Sequence, residues 1–340
     1  MKLPIAALAA LFCLHIAGAS TAQPYPVKPV RVITAFPTGS GPDSAMRLVG
    51  ERAAKAWGQQ LIVDNRPGGS GFIAAEAARR ALPDGYTLVQ LDVAQLSVHP
   101  HLYRKIPYDP VRDFDPVAGI LRTWFFVVVP ANSPWKNVAD LIAEAKAQGG
   151  KLSYGSWFVG SPGHLGAAQL ELATGTRMSH VVYKDMTQLY FDVGSKEIAW
   201  AFGSAGSSSA AYQAKRVRYL AAAAPQRIAG YPDVPTVAEA GGPPGFEVMG
   251  WVALLAPRGT PGAAVRRINE GVAQALADRD LIDRFQVFGY EPMVLQPAQL
   301  ARLIESDSKR FGEVIRRRDA FGHHGKGAHA VVSRGAAFPR

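Results

Sequence analysis

Short apolar runs alternate along the chain with longer stretches whose apolar residues recur every three or four positions. The runs Val30–Ala35, Gln60–Asn65, Thr87–Leu91, Trp124–Val129, Leu152–Ser156, Ser179–Tyr183, Ile198–Phe202, Val217–Ala222 and Trp251–Ala256 read as strands. After the first of them, Ala45, Leu48, Val49, Ala53 and Ala56 repeat at helical spacing. Pro134–Gln148 reads as a helix capped by Ser133, with Pro134 at its first position and Gly149-Gly150 as its stop. Thr236 and Glu239 have the spacing of a capping box. This alternation predicts an α/β architecture with mainly parallel sheets, without internal repeats or low-complexity linkers.

Three loops between predicted strands and helices are rich in glycine and serine: Thr38–Asp43, Gly160–His164 and Gly203–Ser209. Helix amino ends carry free N–H groups and partial positive charge, so such loops suit anions. Each also reads as an ordinary βα turn. The phosphate-binding pattern Gly-x-x-x-x-Gly-Lys-Ser/Thr and the dinucleotide pattern Gly-x-Gly-x-x-Gly are both absent around the first loop. Asp43 would repel a bound carboxylate unless it points elsewhere, and in a first helical turn it complements the dipole.

The amino terminus changes the picture of where the chain works. Lys2, the apolar run Ile5–Ala17 and the small residues Ala19-Ser20-Thr21-Ala22 read as a cleaved signal peptide, residues 1–22. The run is too short to span a bilayer. Periplasmic export is therefore expected. Cys13, the only cysteine, lies inside this segment, so the mature chain is expected to lack disulfides and thiol nucleophiles. The net charge of +10, or +9 without Lys2, is spread along the chain apart from Arg316-Arg317-Arg318, and reads as a solvated surface rather than a nucleic-acid site. His323, His324 and His329 lack the spacing and partners of a metal site. No metal or cofactor is expected.

Across roughly Tyr25–Arg318 the sequence resembles the Bug/TctC receptors, extracytoplasmic solute-binding proteins of tripartite tricarboxylate transporters. The segments that carry the resemblance include "YPVKPVRVITAFPTGSGPD", "VDNRPGGSGFIAAEA", "PDGYTL", "PYDPVRDFDPVA", "YGSWFVGSPGHLGA", "SHVVYK", "PDVPTVAEAG" and "GWVALLAPRGTP". The resemblance implies a two-lobed periplasmic binding-protein fold of the type II kind. Lobe 1 would comprise residues 23–122 and 251–318, lobe 2 residues 123–250, and 319–340 a loose tail. Trp124–Val129 and Trp251–Ala256 would be the crossover hinge strands.

It also implies a ligand carboxylate held by backbone N–H groups of Thr38, Gly39, Ser40, Gly41, Pro42 and Asp43, proline excepted. Ser156, Trp157, Gly160, Ser161, His164 and Tyr183 would face the ligand from the second lobe. Trp157 and Phe158 replace small polar residues there, and would serve as a lid, a stacking surface or inter-lobe packing. Gly203 and Ser204 stand where many relatives carry an Asp. Asp92 stands where Thr or Ser is usual, and with Gln95 would accept from a ligand donor. The implied function is capture of a small organic carboxylate by a monomer, with any membrane transporter subunits encoded elsewhere. A sensory receptor on the same scaffold remains an alternative. An exported hydrolase is the other, although no Gly-x-Ser-x-Gly elbow or His-Glu-x-x-His motif occurs, and Ser161 and His164 have no orienting acid.

Overall fold

The computed structural model describes residues 25–183 and 185–320. In chain order the elements are β1 (Val30–Thr34), α1 (Gly41–Trp57), β2 (Leu61–Asn65), α2 (Phe72–Arg79), β3 (Thr87–Asp92), α3 (His99–Leu102), β4 (Phe114–Pro130), α4 (Val138–Ala147) and β5 (Ser153–Ser156). Then follow α5 (Pro162–Thr174), β6 (Ser179–Val182), α6 (Met186–Ser195), β7 (Trp200–Ser204), α7 (Ala205–Gln213), β8 (Val217–Ala223) and β9 (Met249–Pro257). The chain continues through α8 (Gly262–Leu276), α9 (Arg279–Val287), β10 (Glu291–Pro292) and α10 (Pro297–Ala320).

The fold is α/β and two-lobed, as expected, but the sheets are mixed. In lobe 1, β2, β1 and β3 are parallel neighbours, β9 pairs antiparallel with β3, and the first part of β4 pairs antiparallel with β9. In lobe 2, β6, β5 and β7 are parallel, and the rest of β4 pairs antiparallel with β7 and β8. Strands whose connections return through a helix run parallel; the strands shared between lobes do not.

Each sheet is covered on both faces. In lobe 1, Val30 and Val32 pack with Met46, Val49 and Ile268 on one side, while Ile33 packs with Ala75 and Ile304 on the other. Strand periodicity sorts β4 in the same way: Phe125, Val127 and Val129 join the core under α4 and α5, and Phe126 and Val128 join that under α6.

Two expected boundaries shift. The strand expected at Trp124–Val129 is the second part of the 17-residue β4. Its earlier part, containing Pro116 and Gly119, lacked a clean apolar run and was not expected as strand. The chain passes between lobes at Thr123–Phe125 and Val248–Gly250: Phe125 N–H donates to Val248 O at 3.1 Å, and Thr123 pairs with Gly250. Trp251–Ala256 lies within the lobe 1 sheet rather than at the crossing.

The helix expected from Pro134 begins at Val138. Asn137 caps it, accepting from Asp140 N–H, while Ser133 instead accepts from Trp135 N–H in the preceding turn. Thr236 and Glu239 do exchange reciprocal capping bonds, at 2.7 and 3.1 Å, around a turn. α10 runs to Ala320, two residues into the expected tail; the remainder of that tail, its histidines and the signal segment lie outside the described residues.

Candidate ligand site

The carboxyl ends of β1 and β3, the amino end of α1, and residues Phe288–Tyr290 meet where lobe 1 faces α7 of lobe 2. The turn into α1 is shaped by glycine. Gly39 has φ +79°, a conformation that strains other residues. Its N–H donates to Asp43 Oδ2 at 2.8 Å. Asp43 is 1% exposed and is also held by Arg47 Nε at 3.1 Å and Asn65 Nδ2 at 2.7 Å. Burial would raise its pKa, but these hydrogen bonds and the Arg47 charge together hold the carboxyl below the usual range. Its charge is thus neutralised within lobe 1.

With Asp43 and Gly39 engaged with each other, the N–H groups of Gly41 and Asp43 have no protein partner among the described residues. Ser40 Oγ is enclosed and unpartnered, and it does not cap the helix. Tyr290 stands over this turn so closely that a Cβ on Gly41 would overlap its hydroxyl. Burial pushes the Tyr290 phenol up to about 12, so it stays a neutral donor at ordinary pH. Sequence reasoning missed Tyr290, which sits in an irregular stretch without periodicity.

The next strand supplies acceptors. Gln90 is fully buried; its Nε2 donates to Pro42 O at 2.9 Å, and its Oε1 is unpartnered. A glutamine inside the apolar run Leu88–Leu91 was the signal that could have found it. Two residues on, and therefore on the same strand face, Asp92 ends β3. Its Oδ1 accepts from Ala94 N–H at 2.8 Å and Gln95 N–H at 3.3 Å. Gln95 is committed internally: Oε1 accepts from Asp92 N–H and Nε2 donates to Ser70 O in the Gly68–Gly71 turn. It positions Asp92 rather than offering a free acceptor. Thr38 is exposed at the loop tip.

Two glycines mark places where lobe 2 approaches lobe 1. A Cβ on Gly160 would lie 2.6 Å from Leu102 Cδ2, and one on Gly206 would lie 2.7 Å from Phe288 O. Ser204 caps α7 in a reciprocal box with Ser207, and Gly203 is packed under Tyr190 and Val128. The other second-lobe residues expected at the ligand make contacts within the protein. Ser161 is fully buried and caps α5, accepting from His164 N–H. His164 accepts from Gly160 N–H through Nδ1 and stacks on His180 at 4.2 Å. Ser156 is fully buried with Oγ 2.7 Å from His180 Nε2. Trp157 stacks on Phe125 at 5.6 Å, within its own lobe. Tyr183 donates to Asp192 at 2.7 Å. No group of three or more His, Cys, Asp or Glu suited to a metal occurs among the described residues.

The sequence profile of the tripartite tricarboxylate transporter family receptor, TctC, matches residues 45–320. The chain belongs to this family. It is 32% identical over 291 residues to the UPF0065 protein of the tcbD–tcbE intergenic region of Pseudomonas sp. strain P51, covering 86% of each. BugT of Bordetella pertussis is 28% identical over 302 residues, covering 88% of this chain and 92% of BugT. Among solved structures, Rhodopseudomonas palustris Rpa4515 with adipate superposes with a TM-score of 0.77 at 31% identity, over 86% of this chain and 97% of that one. MatC (Rpa3494) of the same organism, with bound malate, gives 0.74 at 27% identity, over 86% and 100%. The two solved structures share the fold of this chain, and each holds a bound ligand.

Proposed function

We propose that this TctC-family protein is a periplasmic, non-enzymatic receptor that captures a small organic carboxylate between its lobes. The observation that carries this reading is the unsatisfied amino end of α1. Gly41 N–H and Asp43 N–H lack partners, and the Tyr290 hydroxyl stands beside them. Positive helix-end potential and several neutral donors favour a carboxylate without requiring a lysine. The adipate and malate bound to two relatives are of the same class. Among the described residues no helix is long and apolar enough to cross a membrane, which suits a receptor delivering to transporter subunits on other chains.

Calorimetry with adipate, malate and their amides tests the carboxylate claim. Acids are expected to bind at least tenfold more tightly than amides, because a hydrogen bond to a charged acceptor contributes about 1.5–3 kcal/mol. Equal affinity for acid and amide would remove the claim. Ligand recovered unchanged after prolonged incubation supports a receptor; turnover would favour the hydrolase.

A further inference from the structure

Resting on the carboxylate reading, we infer that Asp92 is a specificity residue that receives a ligand ammonium, so that the preferred ligand is an amino carboxylate. The argument begins with what Asp92 does locally. Its Oδ1 caps the turn entering Ala94–Val98 by accepting two backbone N–H groups. A neutral serine, threonine or asparagine side chain would perform that task. The negative charge is surplus to the cap. Oδ2 has no protein partner, and no arginine, lysine or histidine pairs with Asp92 among the described residues.

Every other carboxylate at this rim is answered: Asp43 by Arg47 and Asn65, and Asp64 by Arg66 at 3.0 Å. A partly desolvated charge is costly unless paired, and the half-buried Asp92 keeps its unpartnered Oδ2 within reach of solvent. Burial accordingly pushes the Asp92 carboxyl up to about 6, against the two backbone N–H groups that lower it. Near neutral pH it is an anion awaiting a counter-charge.

Direction supplies the rest. Gln90 and Asp92 share a strand face, about 7 Å apart along β3. Gln90 reaches the first turn of α1 through Pro42 O, and its fully buried Oε1 is a second unanswered acceptor. Through Gln90, β3 links the unpaired donors at the amino end of α1 to the unpaired Oδ2 of Asp92, two residues further along the same strand face. A dicarboxylate satisfies only the donors and sets its second charge against Asp92. A ligand bearing one carboxylate and one ammonium satisfies both sets.

The test uses the full mature chain, stripped of copurified ligand by unfolding and refolding, and calorimetry at pH 7.5. Probes are glycine, β-alanine, 4-aminobutyrate and L-glutamate, each set against acetate, propionate, butyrate and glutarate respectively, with butylamine as the amine lacking a carboxylate. At least one amino acid is expected to bind ten- to a hundredfold more tightly than its amine-free partner. Asp92→Asn, which preserves the cap and the shape, is expected to erase that preference while leaving the amine-free partner bound as well or better. Asp92→Ser provides a second neutral variant, and thermal unfolding confirms that both fold.

Amine-free acids binding as tightly as their partners would overturn the inference and leave the carboxylate reading standing. So would an amine preference that survives in folded Asp92→Asn and Asp92→Ser. Butylamine matching 4-aminobutyrate would instead overturn the carboxylate reading, and with it the amino carboxylate. Absence of binding by every amino acid would overturn the inference outright.

Discussion

The backbone N–H of Gly39 points inward to Asp43 Oδ2, 2.8 Å away, rather than out to the cleft. The loop is thereby folded onto the first turn of α1, and the donors left for a ligand are those of Gly41 and Asp43. Asp43→Ala would leave Gly39 N–H and part of Asn65 unsatisfied, at a cost of about 1–3 kcal/mol. The folded carboxyl titrates below its unfolded value of 3.8. Its contribution is therefore present above that value and is lost as pH falls through the folded one. Urea unfolding at pH 7.5, 5 and 3.5 is expected to show a stability gap between wild type and variant that narrows only at the lowest pH. A gap independent of pH would contradict this ionic role.

Asp92 has the opposite sign. Its carboxyl is raised from 3.8 to about 6 in the fold, so the folded state binds more protons between those values. Stability from this group is highest below about 4, declines as pH rises toward 6 and is level above. Asp92→Asn is expected to stabilise the ligand-free protein at pH 7.5 by about 3 kcal/mol at most, following the free-energy value of a pKa unit. The advantage should shrink by pH 4.5. Destabilisation at both pH values would show that the charge itself supports the fold.

Gly41 and Tyr290 offer a coupled pair. Gly41→Ala forces its new methyl group against the Tyr290 hydroxyl and is expected to lower affinity about tenfold, within the usual cost of overpacking. In Tyr290→Phe the second substitution should cost less, because the overlapping hydroxyl is gone while the nearest ring carbons lie 3.0 and 3.1 Å away. A double-mutant cycle by calorimetry reads the coupling. Strictly additive effects would mean that the two residues do not share the site.

Lobe approach is open to a similar test. Gly206→Val places a branched side chain against Phe288 O, where even a Cβ would be at 2.7 Å. The closed arrangement should be penalised while each lobe keeps its own core. Expected outcomes are a larger radius of gyration by scattering and weaker binding, with the unfolding midpoint nearly unchanged. Unaltered scattering and affinity would place Gly206 outside the closing contact.

Periodicity made most strands legible, because Val30–Thr34, Thr87–Asp92 and Val217–Ala223 bury most of both faces and are therefore mainly apolar. The first part of β4 escaped because its partners are remote in sequence: Phe114–Trp124 is held by Met249–Pro257 and not by its own pattern. Within the site, the turn at Ser40–Asp43 was visible as glycine between strand and helix. What each polar side chain does there was not. Ser161 and Ser204 look alike in sequence as serines before a helix, and the structure uses both as caps. Gln95 resembled an acceptor until its two ends were seen to close on Asp92 and Ser70. Tyr290 carried no local signal, since its place over Gly41 depends on how α9 packs against α1.

α10 gives the molecule one further property. It is anchored in lobe 1, where Asp307 accepts from Trp251 Nε1 at 2.7 Å, yet it also lies along α5 of lobe 2. Between them, Gln169, Glu247, Arg310, Glu313 and Arg317 line a cavity of about 640 Å³ that shares no residue with the Ser40–Asp92 rim. Any rotation of one lobe on the other must slide α5 past this strut and reshape that cavity. A solute that fixed the angle between the lobes would fix the form of this outer face as well.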